Sequence, residues 1–256
     1  MLRTLCAALL ALAGPGNAEV PDELAYADLN AGWRDGHTHV AGLTIRLAPG
    51  WKTYWRVPGE AGIPPVFNWS GSSNVAAVRV HFPVPRVFEQ GGIHGIGYIG
   101  QVTFPLNVRT HDASAPVRLR GEIDIGVCEE VCVPVTLQVR AELPVHGSLD
   151  HALAAILEDR PESGGRLICD FAPIVDGLRL VARTTLPHTG GKETVVVETG
   201  DPQVWVSTPI LRRDGKQLRA EVEMVPPSAR PFALARAEVR MTVLSEGRAI
   251  EMVGCH

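Results

Sequence analysis

The sequence predicts an all-β protein: an immunoglobulin-like β-sandwich, then a linker helix and a second, smaller β-sandwich. Three observations carry that expectation. Apolar residues recur with period two through most of the chain, as half-buried strands require. Turn chemistry rich in Gly and Pro separates these runs at short intervals, and 26 glycines and 20 prolines are available to supply it. Helical spacing takes over in one place, between Val145 and Gly165.

In chain order, Arg3 precedes the apolar run Leu5 to Ala13. Gly14-Pro15-Gly16 breaks that run, and Gly16-Asn17-Ala18 offers small residues for cleavage. Residues 1–18 are therefore expected to be a signal peptide, with the mature chain starting near Glu19. The run is too short for a bilayer, and no later stretch approaches ~20 consecutive apolar residues, so the mature protein is expected to be soluble and not membrane-spanning. Val40, Leu43, Ile45 and Leu47 read as an early strand, followed by Val78–Phe82, Val102–Val108, Val117–Ile125 and Val133–Val139. Turns at Pro49-Gly50, Pro58-Gly59, Gly62 to Pro65, Gly71 to Asn74 and Gly91-Gly92 separate them, a spacing that suits a sandwich rather than a βαβ sheet. These runs define a first β domain over 19–146.

Within 147–165, Ser148 is a candidate N-cap, Leu149, Leu153, Ile156 and Leu157 share a helical face, and Pro161 to Gly165 ends the helix. A second β domain over 166–256 follows from Leu178–Val181, Thr194–Glu198, Val204–Val206, Leu218–Val222 and Ala237–Leu244. The formal net charge is −4, which offers no footprint for nucleic acid or anionic lipid.

Cysteine placement points to the chemistry. Of five cysteines, Cys6 leaves with the signal peptide, and Cys128, Cys132, Cys169 and Cys255 remain. An even set in an oxidising compartment suggests two disulfides, with three possible connectivities. Cys169 opens the second β series and Cys255 nearly ends it, so the expected pairs are 128 with 132 and 169 with 255. The long loop closed by the second bridge makes it a structural staple, contributing at most about 4 to 5 kcal/mol by chain entropy.

The Cys128–Cys132 pair reads differently. Extended chain would hold its Cα atoms ~13 Å apart against the ~5.5 Å that a disulfide prefers, so the chain must turn back on itself. So short a ring stabilises a fold less than a long one. A redox couple or a soft-metal clip accounts for the pair better than a staple does.

Several motifs occur in order along the first domain: Gly50-Trp51-Lys52-Thr53-Tyr54-Trp55-Arg56, Pro58 to Pro64, Phe82 to Glu89, Gly95 to Tyr98, and Cys128-Glu129-Glu130-Val131-Cys132-Val133-Pro134. Together, over about residues 25 to 142, they resemble the DsbD N-terminal-like (alpha) domain, as in ScsB-type periplasmic thiol:disulfide interchange proteins. The resemblance implies an immunoglobulin-like fold whose catalytic pair, Cys128 and Cys132, shuttles reducing equivalents across the periplasm with no metal or organic cofactor. It implies two kinds of partner, a membrane-embedded thiol electron donor and periplasmic disulfide proteins. The sequence contains neither the membrane electron carrier nor the thioredoxin-like Cys-x-x-Cys domain of the full-length pattern, so the donor is expected to be a separate protein.

The implied reaction is thiol–disulfide exchange, one cysteine attacking and the other resolving. Cys132 is the expected attacker, because Cys128 continues a strand and is the more covered. Glu129 and Glu130 would raise the thiol pKa values if they lie close, or else are solvated turn residues. The Gly-rich segment with His94 and Tyr98 reads either as a mobile loop over the cysteines or as an ordinary hairpin. Its G-x-G-x-x-G pattern, Gly95 to Gly100, runs into strand-like sequence instead of a helix, which argues against dinucleotide binding. Trp51, Tyr54 and Trp55 read as packing residues rather than a binding platform. The alternative function is Cu(I) binding or copper tolerance, the two thiolates joined by His37, His39, His94 or the terminal Cys255-His256 pair. No histidine stands at a fixed short spacing from the cysteines to define that third ligand.

Overall fold

The computed structural model describes residues 23–60, 62–90, 92–188 and 190–256; the expected signal peptide, with Cys6, lies outside them. The first sandwich is built from β1 (Ala25–Asp35), β2 (Thr38–Leu47), β3 (Lys52–Gly59), β4 (Val66–Asn68), β5 (Ala77–Val80), β6 (Arg86–Gln90), β7 (Ile93–Ile99), β8 (Gln101–Arg109), β9 (Val117–Cys128) and β10 (Cys132–Leu143). One sheet has the order β1-β2-β8-β5. The other runs β10-β9-β3-β7-β6, with β4 on the edge of β9. Leu43, Ile45, Trp55, Phe104, Leu106, Leu119 and Ile123 fill the space between the sheets. Edge-to-face contacts among Phe82, Tyr98 and Phe104 at 5.3–5.5 Å order one end of it.

Strand β9 shows how sequence sets the layers. Val117, Leu119, Gly121, Ile123 and Ile125 face inward while Arg118, Arg120, Glu122 and Asp124 face solvent, the period-two pattern of a one-sided sheet. From Ile125 to Cys128 the alternation stops and every residue is buried. The cause is a segment after β3 that lies over the outer face: a Cβ at Gly126 would stand 2.8 Å from the Cβ of Ile63.

Helix α1 (His151–Glu158) follows, and its N-cap is Asp150 rather than the expected Ser148. The Asp150 carboxylate accepts from the backbone N–H of Leu153 at 3.0 Å and also from Asn30, a partner that lies far off in the sequence. Of the expected apolar face, Leu153 is buried, seated where β1 and β2 carry Gly32 and Gly42, and Leu149 precedes the helix and is exposed.

The second sandwich comprises β11 (Glu162–Ser163), β12 (Ile168–Ile174), β13 (Gly177–Thr185), β14 (Thr194–Glu198), β15 (Trp205–Val206), β16 (Ile210–Asp214), β17 (Gln217–Val225), β18 (Arg240–Ser245) and β19 (Arg248–Val253). Its sheets have the orders β11-β19-β18-β14 and β12-β13-β17-β15, with β16 also on β17. Leu180, Leu218, Val222, Met224, Val239 and Met241 form its core. The strand expected from Ala237 begins at Arg240, since Arg236–Glu238 is a 3-10 turn. Val196, Leu244 and Ala249 belong instead to the apolar cluster of the first sandwich, so the two bodies share an apolar contact.

Cys169 and Cys255 are bonded, with Cα atoms 5.4 Å apart. The bridge joins β12, in one sheet, to the tail that leaves β19, in the other. Replacing this pair by alanine should lower stability in equilibrium urea unfolding by about 2 to 5 kcal/mol, and replacing Cys128 and Cys132 by alanine should cost less than half as much.

Candidate functional site

Strands β9 and β10 form an antiparallel hairpin whose ladder runs in unbroken register from Val117↔Leu143 to Cys128↔Cys132. The two cysteines are thus its last facing pair, and Glu129 to Val131 turn between them, closed by the Glu129 N–H donating to the Val131 carbonyl at 3.2 Å. This turn brings the Cα atoms to 4.1 Å, and the sulfurs are bonded at 2.06 Å. The disulfide is asymmetric: Cys128 is 0% exposed, while Cys132 is open to solvent. An incoming thiolate therefore meets Cys132 first.

Strand β3 supplies the flank. Lys52 stands in register with Cys128 on one side and with Ile99 on the other. Two residues on, the Tyr54 hydroxyl lies 3.7 Å from Cys132 Sγ. Tyr54 is buried, and that burial raises its pKa, so the hydroxyl stays protonated and can donate to a Cys132 thiolate. Phe88, on β6, packs 6.0 Å from the Tyr54 ring, and Lys52 Nζ sits 5.9 Å above the Phe88 ring. Glycine is needed at position 62 because the chain lies flat on Tyr54; a Cβ there would come within 2.3 Å of the ring. Val131, Ile63 and Ile99 leave exposed apolar side chains around this corner. Glu129 and Glu130 are both exposed, with a Glu129 carboxylate oxygen over Gly50, a residue held at φ 86°.

The structure thus brings Cys128 and Cys132 together and places Glu129 and Glu130 on the turn between them. It makes the His94 segment a strand: β7 pairs with β6 and β3 and buries Tyr98, so the hairpin reading holds and the mobile-loop reading does not. Gly100 is followed by strand β8, not by a helix. Trp51, Tyr54 and Trp55 are packing residues as expected, but Tyr54 is also a neighbour of the disulfide. Sequence reasoning missed that contact; the signal available was a tyrosine two residues along a strand from the position opposite Cys128. Of the Cu(I) donors considered, His39 is buried with Nε2 on the Ala31 carbonyl, and burial lowers its pKa. His94 Nε2 accepts from Lys192 Nζ at 2.7 Å. Among the described residues no three His, Cys, Asp or Glu side chains gather as a metal site.

With this geometry established, comparison with known families matches residues 20–144 to the model described as thiol:disulfide interchange protein DsbD, N-terminal. The first sandwich belongs to this family. Among solved structures, the N-terminal periplasmic domain of ScsB from Proteus mirabilis superposes on this chain with a TM-score of 0.63 and 22% identity, covering 94% of this chain and 98% of that one. Likeness at that identity shows a common fold, and it extends over both sandwiches. A GH20 exo-β-N-acetylglucosaminidase from Vibrio harveyi aligns at 8% identity over 80% of this chain and 40% of its own, with a TM-score of 0.21, which carries no argument. No curated protein sequence matches the chain. Among the described residues no helix is long and apolar enough to cross a membrane.

The asymmetry of the Cys128–Cys132 disulfide has a direct readout. After mild reduction, one equivalent of iodoacetamide should label Cys132 at least about tenfold faster than Cys128, because reactivity follows exposure and thiolate access. Peptide mass mapping measures the ratio, and equal labelling would contradict the observed burial of Cys128.

Proposed function

We propose that this chain is a periplasmic thiol:disulfide interchange protein that passes reducing equivalents from a membrane-embedded thiol donor to oxidised periplasmic partners. The observation that carries the reading is the exposed Cys132 bonded to a buried Cys128 at the tip of a hairpin, within a DsbD-type domain. Supporting it, the ScsB domain that shares the fold is itself described as periplasmic. We take the chain to be organised as a signal peptide at 1–18, a redox domain at 19–146, a helix and linker at 147–165, and a second β domain at 166–256.

In the reduced protein the Cys132 thiolate attacks one sulfur of a partner disulfide. A mixed disulfide forms, and the partner's other sulfur leaves as a thiolate that takes up a proton. Cys128 then loses its proton and attacks Cys132 Sγ, which closes the intramolecular disulfide and releases the second partner thiol. Two electrons pass to the partner, and a donor dithiol restores them by the same steps in reverse. The Tyr54 hydroxyl stabilises Cys132 whenever that sulfur is the leaving or attacking thiolate. Glu129 and Glu130 act against it, since nearby negative charge disfavours the thiolate and slows unguided reaction. The Cu(I) alternative would require the fully buried Cys128 sulfur and a third ligand that the described residues do not assemble.

Cys128→Ser should trap mixed disulfides through Cys132 in periplasmic extracts, whereas Cys132→Ser should trap none and both should retain their fold by circular dichroism. Unfolding of both variants would favour a staple, and tight Cu(I) binding without any exchange would favour the metal. Glu129→Gln combined with Glu130→Gln should speed alkylation of the reduced protein at pH 7 by about two- to fivefold. An unchanged stopped-flow rate would show the two carboxylates to be solvated turn residues and nothing more.

A further inference from the structure

Strand β3 carries Tyr54 to Cys132, yet its own support is interrupted. Lys52, Thr53 and Tyr54 pair with Ile99, Tyr98 and Gly97 of β7, and the ladder resumes only at Gly59↔Gly95. Four residues, Trp55 to Pro58, therefore stand opposite the single residue Ile96, a bulge whose backbone β7 does not hold.

The second sandwich holds it instead. Arg56, at the centre of the bulge, forks onto Glu198 of β14, with Nε and Nη2 donating to the two carboxylate oxygens at 2.9 Å each. Its Nη2 also donates to Glu251 of β19 at 2.6 Å. The guanidinium lies 3.9 Å over the ring of Trp55, and its side chain is 19% exposed, so this is a partly desolvated bidentate clamp rather than a surface pair.

Two more polar contacts cross between the sandwiches, and both grip segments that touch Tyr54. Thr208, between β15 and β16, donates to the carboxylate of Glu60, at the start of the chain that lays Gly62 on the Tyr54 ring and Ile63 on Gly126. Lys192 holds His94 on β7, one residue before Gly95, against which Phe88 rests before it meets Tyr54.

We propose that the second sandwich is a positioning element for the disulfide centre: through Arg56, Glu60 and His94 it fixes the three segments that hold the Tyr54 hydroxyl at Cys132. This role belongs to thiol–disulfide exchange and rests on that proposed function. Arg56, Thr208 and Lys192 are positioning residues, since none of them touches a reacting sulfur. Freed from the clamp, the bulge gives β3 room to move, and the first casualty is the 3.7 Å contact between the Tyr54 hydroxyl and Cys132 Sγ.

The test is the pH–rate profile of Cys132 alkylation by iodoacetamide, in protein reduced at Cys128–Cys132 with the Cys169–Cys255 bridge intact. Tyr54→Phe should move the Cys132 midpoint upward by about half a unit, a roughly threefold fall in rate at pH 7. Arg56→Met and Thr208→Val should each move it the same way. The double variant Arg56→Met with Tyr54→Phe should show no more than the Tyr54→Phe shift, because both remove one interaction, and Arg56→Lys should recover part of it.

A wild-type profile in Arg56→Met and Thr208→Val, or shifts that add to that of Tyr54→Phe, would overturn the role. Should Arg56→Met fail to fold, Thr208→Val and Lys192→Met, both at the surface, decide the matter alone. Alkylation needs no protein partner, so failure of exchange with periplasmic proteins would remove the proposed function while leaving this result standing. A wild-type alkylation profile would remove the positioning role while exchange stood.

Discussion

The unbroken antiparallel register of β9 and β10 is the constraint on which the rest of the molecule depends. Because side chains alternate strictly across a strand, that single ladder decides three things at once: which residues enter the core, where the hairpin ends, and which cysteine is covered. A slip of one residue would carry Leu119, Ile123 and Ile125 to solvent and draw Cys128 away from Cys132. The apolar cost of such a slip, several buried aliphatic side chains at about 1.5 to 3 kcal/mol each, exceeds what a five-residue disulfide ring could contribute. The ladder thus places the disulfide, and opening the disulfide leaves the ladder in place. A redox carrier must satisfy this condition, since its two states have to share one fold.

Around that fixed pair the environment is divided by charge and burial. Cys128 lies beside β3, two residues along β9 from the Gly126 that Ile63 covers, and away from water, whereas Cys132 has solvent on one side and the buried Tyr54 hydroxyl on the other. In the proposed exchange, a neutral donor and two exposed carboxylates would act on the same sulfur in opposite senses. The donor is fixed by packing, and the carboxylates sit on a turn in high dielectric, where their influence is weaker per charge. A partner that covers the turn would remove that screening and also bury the apolar side chains of Val131, Ile63 and Ile99.

Much of this was legible in the sequence, and the reasons are physical. β14 is seen over the expected Thr194–Glu198, since consecutive β-branched residues leave little choice of structure. The long runs of β8, β9 and β10 were legible from their alternation, and the cysteine pairing from position. Strand β1 was not, because three of its inward residues, Ala25, Ala27 and Ala31, are small, only Leu29 is large, and Tyr26 points outward, which leaves little contrast to read. The N-cap shifted from Ser148 to Asp150 because Asn30, remote in sequence, orients that carboxylate. The Tyr54 contact and the Arg56 clamp were illegible for the same reason: each joins residues 78 to 195 positions apart, and no local pattern encodes such a meeting.

The connection between the two sandwiches has almost no slack. Helix α1 is seated on the first through Leu153, and the chain joins the second as soon as β11 pairs in parallel with β19 at Glu162. Only Asp159, Arg160 and Pro161 lie between, a reach of about 13 Å at full extension. Beads on a flexible string sample many headings, and a tethered reactive group on such a string finds its target by search. Here the hairpin tip keeps a constant heading relative to the second sandwich, so whatever surface that sandwich rests against also aims the sulfur of Cys132.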